Sequence, residues 1–399
     1  MSGGKTVPSS LDGSARTILA EHWRPEGYTV PNSTVYPFQW LWDSCFHAIV
    51  WAHLGEGDRA LTELAHVFRT QDDSGFVPHI DYEADPTFHA EFWRRDGAST
   101  ITQPPMYGHA VAQLRRFGID VPAEVVACAL AGLYFLLEER ERDARTGLIT
   151  IVHPWESGAD DSPRWDHWCD EDSFDERKWY DVKGRLMDTI VRGVSGAPLC
   201  NPAFGAAPIG FNALVAFNAR ELADASGDST LEDHAAELFL RLGDRWDDRR
   251  RTWVDAGPAE ATSGAVRTLD GLLVTLGVPS PIVFGDLVDD RHYGGRFGPA
   301  GVHRDEESFA SRTYWRGPAW PQLTYLLWVA AGRASDTDAQ SWLASRLVSG
   351  ARSATFAEYW DPDDGTSLGA RPQSWTTLAA VCAASAPGAT NRRGRTDDS

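Results

Sequence analysis

Residues 43–69 read DSCFHAIVWAHLGEGDRALTELAHVFR. The first half carries apolar groups at helical spacing and stops at Gly55; residues 58–69 follow with a second amphipathic face. Two helices joined by so short a turn must lie antiparallel as a hairpin. Working outward, the unit recurs. Residues 106–117 pair with 123–139, and 209–226 with 230–246. Later helices are expected at 281–289, 317–332, 337–352 and 373–385, with stops at Gly118, Gly227 and Gly332. Strand-like alternation is scarce, Leu148–Val152 being one short candidate. About a dozen helices in successive hairpins predict an all-α toroid of paired helices, the (α/α)6 barrel. It is expected to fill residues 1–386 as one domain, with Pro387–Ser399 as a disordered tail.

Long polar segments separate the hairpins, at 72–105, 153–207, 247–280 and 291–316. Connections that long are usually functional or disordered. These are rich in Trp, His, Asp and Arg, which favours function.

Charge narrows the partners. With 37 Lys plus Arg against 57 Asp plus Glu, the net charge is −20. That argues against nucleic acid and anionic membranes, which need a basic face. Only Lys5, Lys178 and Lys183 are lysines, the other basic residues being Arg; this fits a GC-rich genome or a salt-adapted host. No run approaches the roughly 20 apolar residues of a membrane span, and the polar N-terminus does not read as a signal peptide. The five cysteines are far apart and form no C-x-x-C. A reduced, cytoplasmic protein is expected.

Three segments set carboxylates beside tryptophans. They are Tyr36-Pro-Phe-Gln-Trp-Leu-Trp-Asp43, the run from His153-Pro-Trp-Glu156 to Arg164-Trp-Asp166, and Phe356-Ala-Glu-Tyr-Trp-Asp361 followed by Gln373-Ser-Trp375. Glycoside hydrolysis needs one carboxylic acid to protonate the leaving oxygen and a second carboxylate to activate water or attack. Aromatic faces suit the apolar sides of sugars. The plainer reading is that Asp43 caps a helix, Asp160 and Asp161 shape a turn and the tryptophans are core. It is credible for one segment and weak for three together.

Seven motifs in order resemble a known group: Trp40-Leu-Trp-Asp43, Gly75-Phe-Val-Pro-His79, Ile101-Thr-Gln-Pro-Pro105, Trp155-Glu-Ser-Gly-Ala-Asp160 with Ser162-Pro-Arg-Trp-Asp166, Tyr314-Trp-Arg-Gly-Pro-Ala-Trp320, Phe356-Ala-Glu-Tyr359 and Gln373-Ser-Trp375. Across residues 34–380 the chain resembles glycoside hydrolase family 63. Within it the likeness is to the short bacterial and archaeal branch of mannosylglycerate and glucosylglycerate hydrolases and related α-glucosidases. The resemblance implies an (α/α)6 catalytic domain that inverts the anomeric centre. Asp160 falls on the general acid and Glu358 on the general base, with carboxyls roughly 6.5–9.5 Å apart. Asp43 falls on a position that holds sugar hydroxyls in the −1 subsite. The implied ring contacts are Trp40, Trp42, Trp155, Trp315 and Trp320; the polar ones are Gln103, Arg164, Asp166, Arg316 and Gln373. Tyr36, His79, Glu156, Trp165, Tyr314 and Trp375 lie in the same motifs and complete the expected substrate site. Alternatively, Arg164 and Asp166 brace their loop by pairing with each other.

Two departures stand out. Asp161 replaces the family's Asn after the acid; it either raises the pKa of Asp160 or points into solvent, and it leaves open which of the two is the acid. The stretch Asp170–Tyr180 is strongly acidic where relatives bind the glycerate carboxylate, with Arg177, Lys178 and Tyr180 as the candidates there.

Asp361-Pro-Asp-Asp-Gly365 lacks the spacing of an EF-hand and reads as a turn. His79 and His89 suggest no metal cluster, so no metal or cofactor is expected. The expected partner is a small carbohydrate. Rival readings are a sugar epimerase or isomerase on the same toroid, which works through His pairs, and a non-catalytic carbohydrate-binding protein.

Overall fold

Two kinds of helix alternate along the chain, one buried on nearly all sides and one on a single face. In order, α1 spans Leu11–His22, α2 Leu41–His53, α3 Gly57–His66, α4 Ala90–Trp93, α5 Tyr107–Arg116 and α6 Ala123–Tyr134. Then come α7 Glu176–Asp188, α8 Ile209–Ser226, α9 Ser229–Gly243, α10 Pro281–Val288, α11 Pro321–Arg333, α12 Thr337–Ser353 and α13 Leu378–Ala384. A π turn, Phe135–Glu139, extends α6, and 3-10 turns cover Asp270–Leu276 and Ser374–Thr377. The computed structural model describes residues 10–169, 174–258 and 266–384.

The inner ring runs α2, α5, α8, residues 270–276, α11, then residues 374–384 back against α2. Helices apolar all round belong in a core, and α2 and α8 are buried along almost their whole length. Outside them, α3 packs on α2, α6 on α5, α9 on α8 and α12 on α11; α10 rests on α12, and α1 closes the ring against residues 374–384. This is the (α/α)6 barrel, with one main hydrophobic core.

The sixth inner element, residues 374–384, meets α1 from the start of the chain, and the first five reach their outer partners through short turns. Gly55, Gly118 and Gly227 sit there at φ +79, +79 and +78°, the left-handed conformation that ends helices. Asp228 caps α9 through the Leu231 N–H at 3.0 Å, and Asp336 caps α12 through the Ala339 N–H at 3.0 Å. At that far end Glu221 of α8 binds His109 and Arg116 of α5 and Arg333 of α11. Burial alone would raise this carboxyl; the His109 hydrogen bond and the two guanidinium charges bring it down to about 2.

The return connections are long, so the inner helices all start at the opposite end, where those loops gather. Four two-stranded antiparallel ribbons stiffen the loops. One pairs Gln39 with Asp81 and Trp40 with Ile80, and another pairs Tyr359 with Leu368 and Trp360 with Ser367.

Several expectations need correcting. Helices α1 and α7 went unforeseen: α7 is mostly polar, with one buried stripe of Trp179, Val182, Lys183, Leu186 and Met187. The helix expected from 317 begins at Pro321, because residues 315–320 pass through a turn with Trp315 left-handed and a bridge from Ala319 to Trp360 before the helix starts. Gly332 lies within α11 rather than ending it. Leu148–Val152 makes one isolated bridge, Arg142 to Ile149, and no strand. The tail Pro387–Ser399 and residues 170–173 of the acidic loop lie outside the described residues. No helix among the described residues is long and apolar enough to cross a membrane.

Candidate active site

The loop end holds two adjoining cavities. The smaller, about 110 Å³, is lined by Tyr36, Trp40, Trp42, Asp43, Gln103, Asp160, Tyr314, Trp315, Glu358, Gln373 and Trp375, with Pro31 and Gly158. Eleven expected site residues from six separate segments therefore meet in one place. The reason is topological: four of the segments open or closely precede α2, α5, α11 and residues 374–384, and the long connections carrying Asp160 and Glu358 return to that same end of the ring.

Asp160 ends the loop opened by the 3-10 turn Pro154–Ser157. Burial pushes its carboxyl up to about 7; Lys183 pulls against this, and the charges of Asp161 and Glu358 add to it. Glu358 is 3% exposed. Its Oε1 accepts from the Tyr36 hydroxyl at 3.0 Å and its Oε2 from the Ala370 N–H at 2.8 Å. Burial lifts it to about 7 against the pull of those two donors. Both carboxyls are thus poised near neutrality in one pocket, so either can hold or release a proton there.

Asp43 sits in the first turn of α2, fully buried. Burial first, then the charge of Glu358, holds its carboxyl well above the usual range. Its Oδ1, the Gln373 Oε1 and the Trp315 Nε1 are buried without a hydrogen-bond partner among the described residues. Buried polar atoms are normally satisfied. Three such atoms in one pocket are what hydroxyls of a sugar would engage.

Aromatic rings form the walls. Trp315 lies flat on Trp320, centroids 3.7 Å apart and planes 8° apart. Its backbone is held at φ +57°, a strained conformation for an aromatic residue. Trp42 stands edge-on to Trp375 at 5.7 Å. Gly158 lies under Trp42 at φ +71°, and a Cβ there would come within 2.6 Å of the ring. Only glycine satisfies both conditions.

His79 and Trp155 line the larger, neighbouring cavity of about 520 Å³, which shares Tyr36, Trp40, Gln103, Asp160 and Tyr314 with the first. His79 bonds Ser99 Oγ at 2.6 Å, and burial lowers its pKa to about 3, which keeps it neutral.

Six expected contact residues stand behind the walls instead. Glu156 is fully buried against Arg140 and accepts the Thr102 and Val152 N–H groups. Arg164 pairs with Asp255 and Asp270, not with Asp166. Asp166 instead grips Arg316 through two bonds of 2.7 and 2.6 Å. Trp165 is core, donating to the Ala159 carbonyl at 2.8 Å, and Trp320 is the fully buried backing of Trp315. Spacing alone does not separate a side chain that faces the pocket from one that anchors the same loop.

Asp161 follows the first expectation in direction, its charge raising the pKa of Asp160, but with an opposing partner that was not foreseen. It is 5% exposed, and its Oδ1 receives the Lys183 ammonium at 2.7 Å. It therefore does not point into solvent, and its effect on Asp160 is smaller than the opposing effect of Lys183. Lys183 went unnoticed in sequence, although one lysine among so many arginines was a signal. The aromatics Phe88, Phe92 and Trp93, close together in the expected functional loop 72–105, were missed as well. Of the glycerate-loop candidates, Tyr180 reaches the larger cavity and Arg177 and Lys178 do not line it. No group of His, Cys, Asp or Glu that could hold a metal occurs among the described residues.

Comparison with known proteins bears on this site. The family described as the mannosylglycerate hydrolase MGH1-like glycoside hydrolase domain matches residues 36–376. A mannosylglycerate hydrolase from Rubrobacter radiotolerans is 28% identical, over 92% of this chain and 95% of its own length. A glucosylglycerate hydrolase from Mycolicibacterium hassiacum is 29% identical, over 88% and 93%. The crystal structure of the glycoside hydrolase family 63 mannosylglycerate hydrolase from Thermus thermophilus, with Tris and D-glycerate, superposes with a TM-score of 0.79 at 24% identity, over 94% of this chain and 99% of that one.

Proposed function

The chain belongs to the mannosylglycerate hydrolase MGH1-like family of glycoside hydrolases, and from that premise we propose that it is an inverting α-glycosidase for a short α-glucoside or α-mannoside. Asp160 is the general acid that protonates the glycosidic oxygen. Glu358 is the general base that takes a proton from water on the other face of the sugar. Asp43, Gln373 and Trp315 hold the hydroxyls of the −1 sugar, and the stacked Trp315–Trp320 pair supports its ring. The observation that carries the reading is the meeting of Asp160 and Glu358 in one pocket, each raised by burial to about 7. Family membership sets aside the non-catalytic reading and the epimerase. The names of the relatives make glucosylglycerate and mannosylglycerate the first members of the class to assay.

The test is substitution with product analysis. Glu358→Gln and Asp160→Asn are each expected to lower turnover at least about a thousandfold while circular dichroism and melting stay near wild type. Proton NMR of the first product should show the β-anomer. Retained activity in Glu358→Gln, or an α-anomer first, would overturn the assignment.

A further inference from the structure

Resting on the glycosidase reading above, we propose that the group cleaved from the sugar in this protein is an uncharged second sugar ring rather than a carboxylate-bearing acid such as glycerate. The larger cavity opens directly off the pocket at Asp160 and carries the argument. At about 520 Å³ it falls in the range of roughly 300–1,000 Å³ that encloses ligands much larger than a three-carbon acid. Half of its twenty lining residues are Phe, Tyr or Trp. Phe88, Phe92 and Tyr180 stand 42, 39 and 61% exposed at its rim although the first two come from the 72–105 segment and Tyr180 from α7. Exposed aromatics converging on one cavity mark a binding surface, and flat faces suit a pyranose.

The charges exclude the alternative. Lys183 is the one Lys or Arg among the described residues lining the cavity, and it is occupied: Asp161 takes its ammonium at 2.7 Å, and Trp155 and Tyr180 lie 5.7 and 5.9 Å from it. Glu176 adds a second carboxylate to the wall. With Asp160 protonated for catalysis, Asp161, Glu176 and Lys183 sum to a formal charge of −1 − 1 + 1 = −1. An entering carboxylate would be desolvated without a free cation and beside like charge, which is costly. A neutral ring meets no such penalty. Asp161 is thus a specificity-determining residue: by neutralising Lys183 it removes the cation that an acid would need.

The experiment compares matched substrates on the intact enzyme. α-Glucosylglycerol and glucosylglycerate differ only in a CH₂OH in place of the carboxylate. Kojibiose, nigerose, maltose and trehalose supply neutral second rings, and mannosyl counterparts are run in parallel. The best disaccharide is expected to exceed the glycerate glycoside in kcat/KM at least tenfold, with the glycerol glycoside also ahead of the glycerate one. A glycerate glycoside equal to or better than every neutral substrate would overturn the proposal, as would cleavage of none of the panel by an enzyme that still hydrolyses α-glycosyl fluorides. Those fluorides need no second ring, so their turnover and its loss in Glu358→Gln report on the catalytic reading separately; no fluoride turnover at all would defeat that reading instead. The variant Asp161→Asn, its fold checked by fluoride turnover, is expected to shift the glycerate-to-glycerol ratio at least tenfold toward glycerate. An unchanged ratio would remove Asp161 from the argument.

Discussion

Asp160 and Glu358 reach nearly the same pKa by different routes. Asp160 is raised by burial against the pull of Lys183, and Glu358 by burial against the Ala370 and Tyr36 donors. As proposed, catalysis needs Asp160 protonated, a state lost as pH rises through about 7. It also needs Glu358 ionised, a state lost as pH falls through about 7. The kcat/KM profile for a glycoside should therefore be a narrow bell centred near neutrality. Fluoride leaves without a proton, so α-glycosyl fluoride hydrolysis should keep the acid-side limb and lose the alkaline one. Paired pH–rate profiles check this, and a plateau from about pH 5 to 9 for the glycoside would refute it. The two residues were singled out in sequence and the fold brings them into one pocket, but no spacing could announce their pKa values. Those arise from burial, offset in part by Ala370, Tyr36 and Lys183, and both the burial and these partners exist only after folding.

At the scale of elements, the loop carrying Asp160 is fixed by an ion pair reaching across the barrel's layers. Arg140 follows the π turn that ends α6, and Glu156 lies in the 3-10 turn just before Asp160; both are buried. Glu156 also accepts two backbone N–H groups, from Thr102 and Val152, so it joins three loops. Removing one member of such a pair strands the other in the interior, at a cost of about 3–5 kcal/mol. Glu156→Ala should lower the urea midpoint accordingly, with activity falling only as the fold does. A variant of wild-type stability with altered KM would show Glu156 to be a contact after all. The sequence reading placed Glu156 in the right segment but on the wrong side of the wall. Trp155 and Glu156 are neighbours, one facing the larger cavity and one facing Arg140, and a 3-10 turn has no period long enough to reveal which. The amphipathic hairpins were legible because α2, α3, α8 and α9 carry their apolar residues in register over several turns. Helix α7 was not, because its buried stripe includes a lysine and is set in acidic chain.

Over the whole molecule, the toroid was legible because inner helices such as α2 and α8 are apolar all round and their turns are short. That pattern leaves few arrangements besides a ring. The net charge of −20 was legible as a number and remains to be explained as a force. The site absorbs little of it, since Asp43, Asp160 and Glu358 are pushed toward their neutral forms by burial. The excess therefore lies mainly outside the pocket. Two opposing salt effects follow. Exposed pairs such as Arg94–Asp188 and Arg312–Asp364 lose strength as salt screens them, but each is worth only about 0–1 kcal/mol at the outset. Self-repulsion among twenty uncompensated negative charges acts over longer distances and is screened as the Debye length falls from about 30 Å at 0.01 M to about 3 Å at 1 M. Repulsion should win, because it sums over many charges while the pairs are few and local. Melting by differential scanning fluorimetry is expected to rise by a few degrees between about 10 mM and about 0.5 M NaCl. A flat or falling Tm would mean that the local pairs outweigh the net field, and the acidity would then lose its reading as an adaptation to salt.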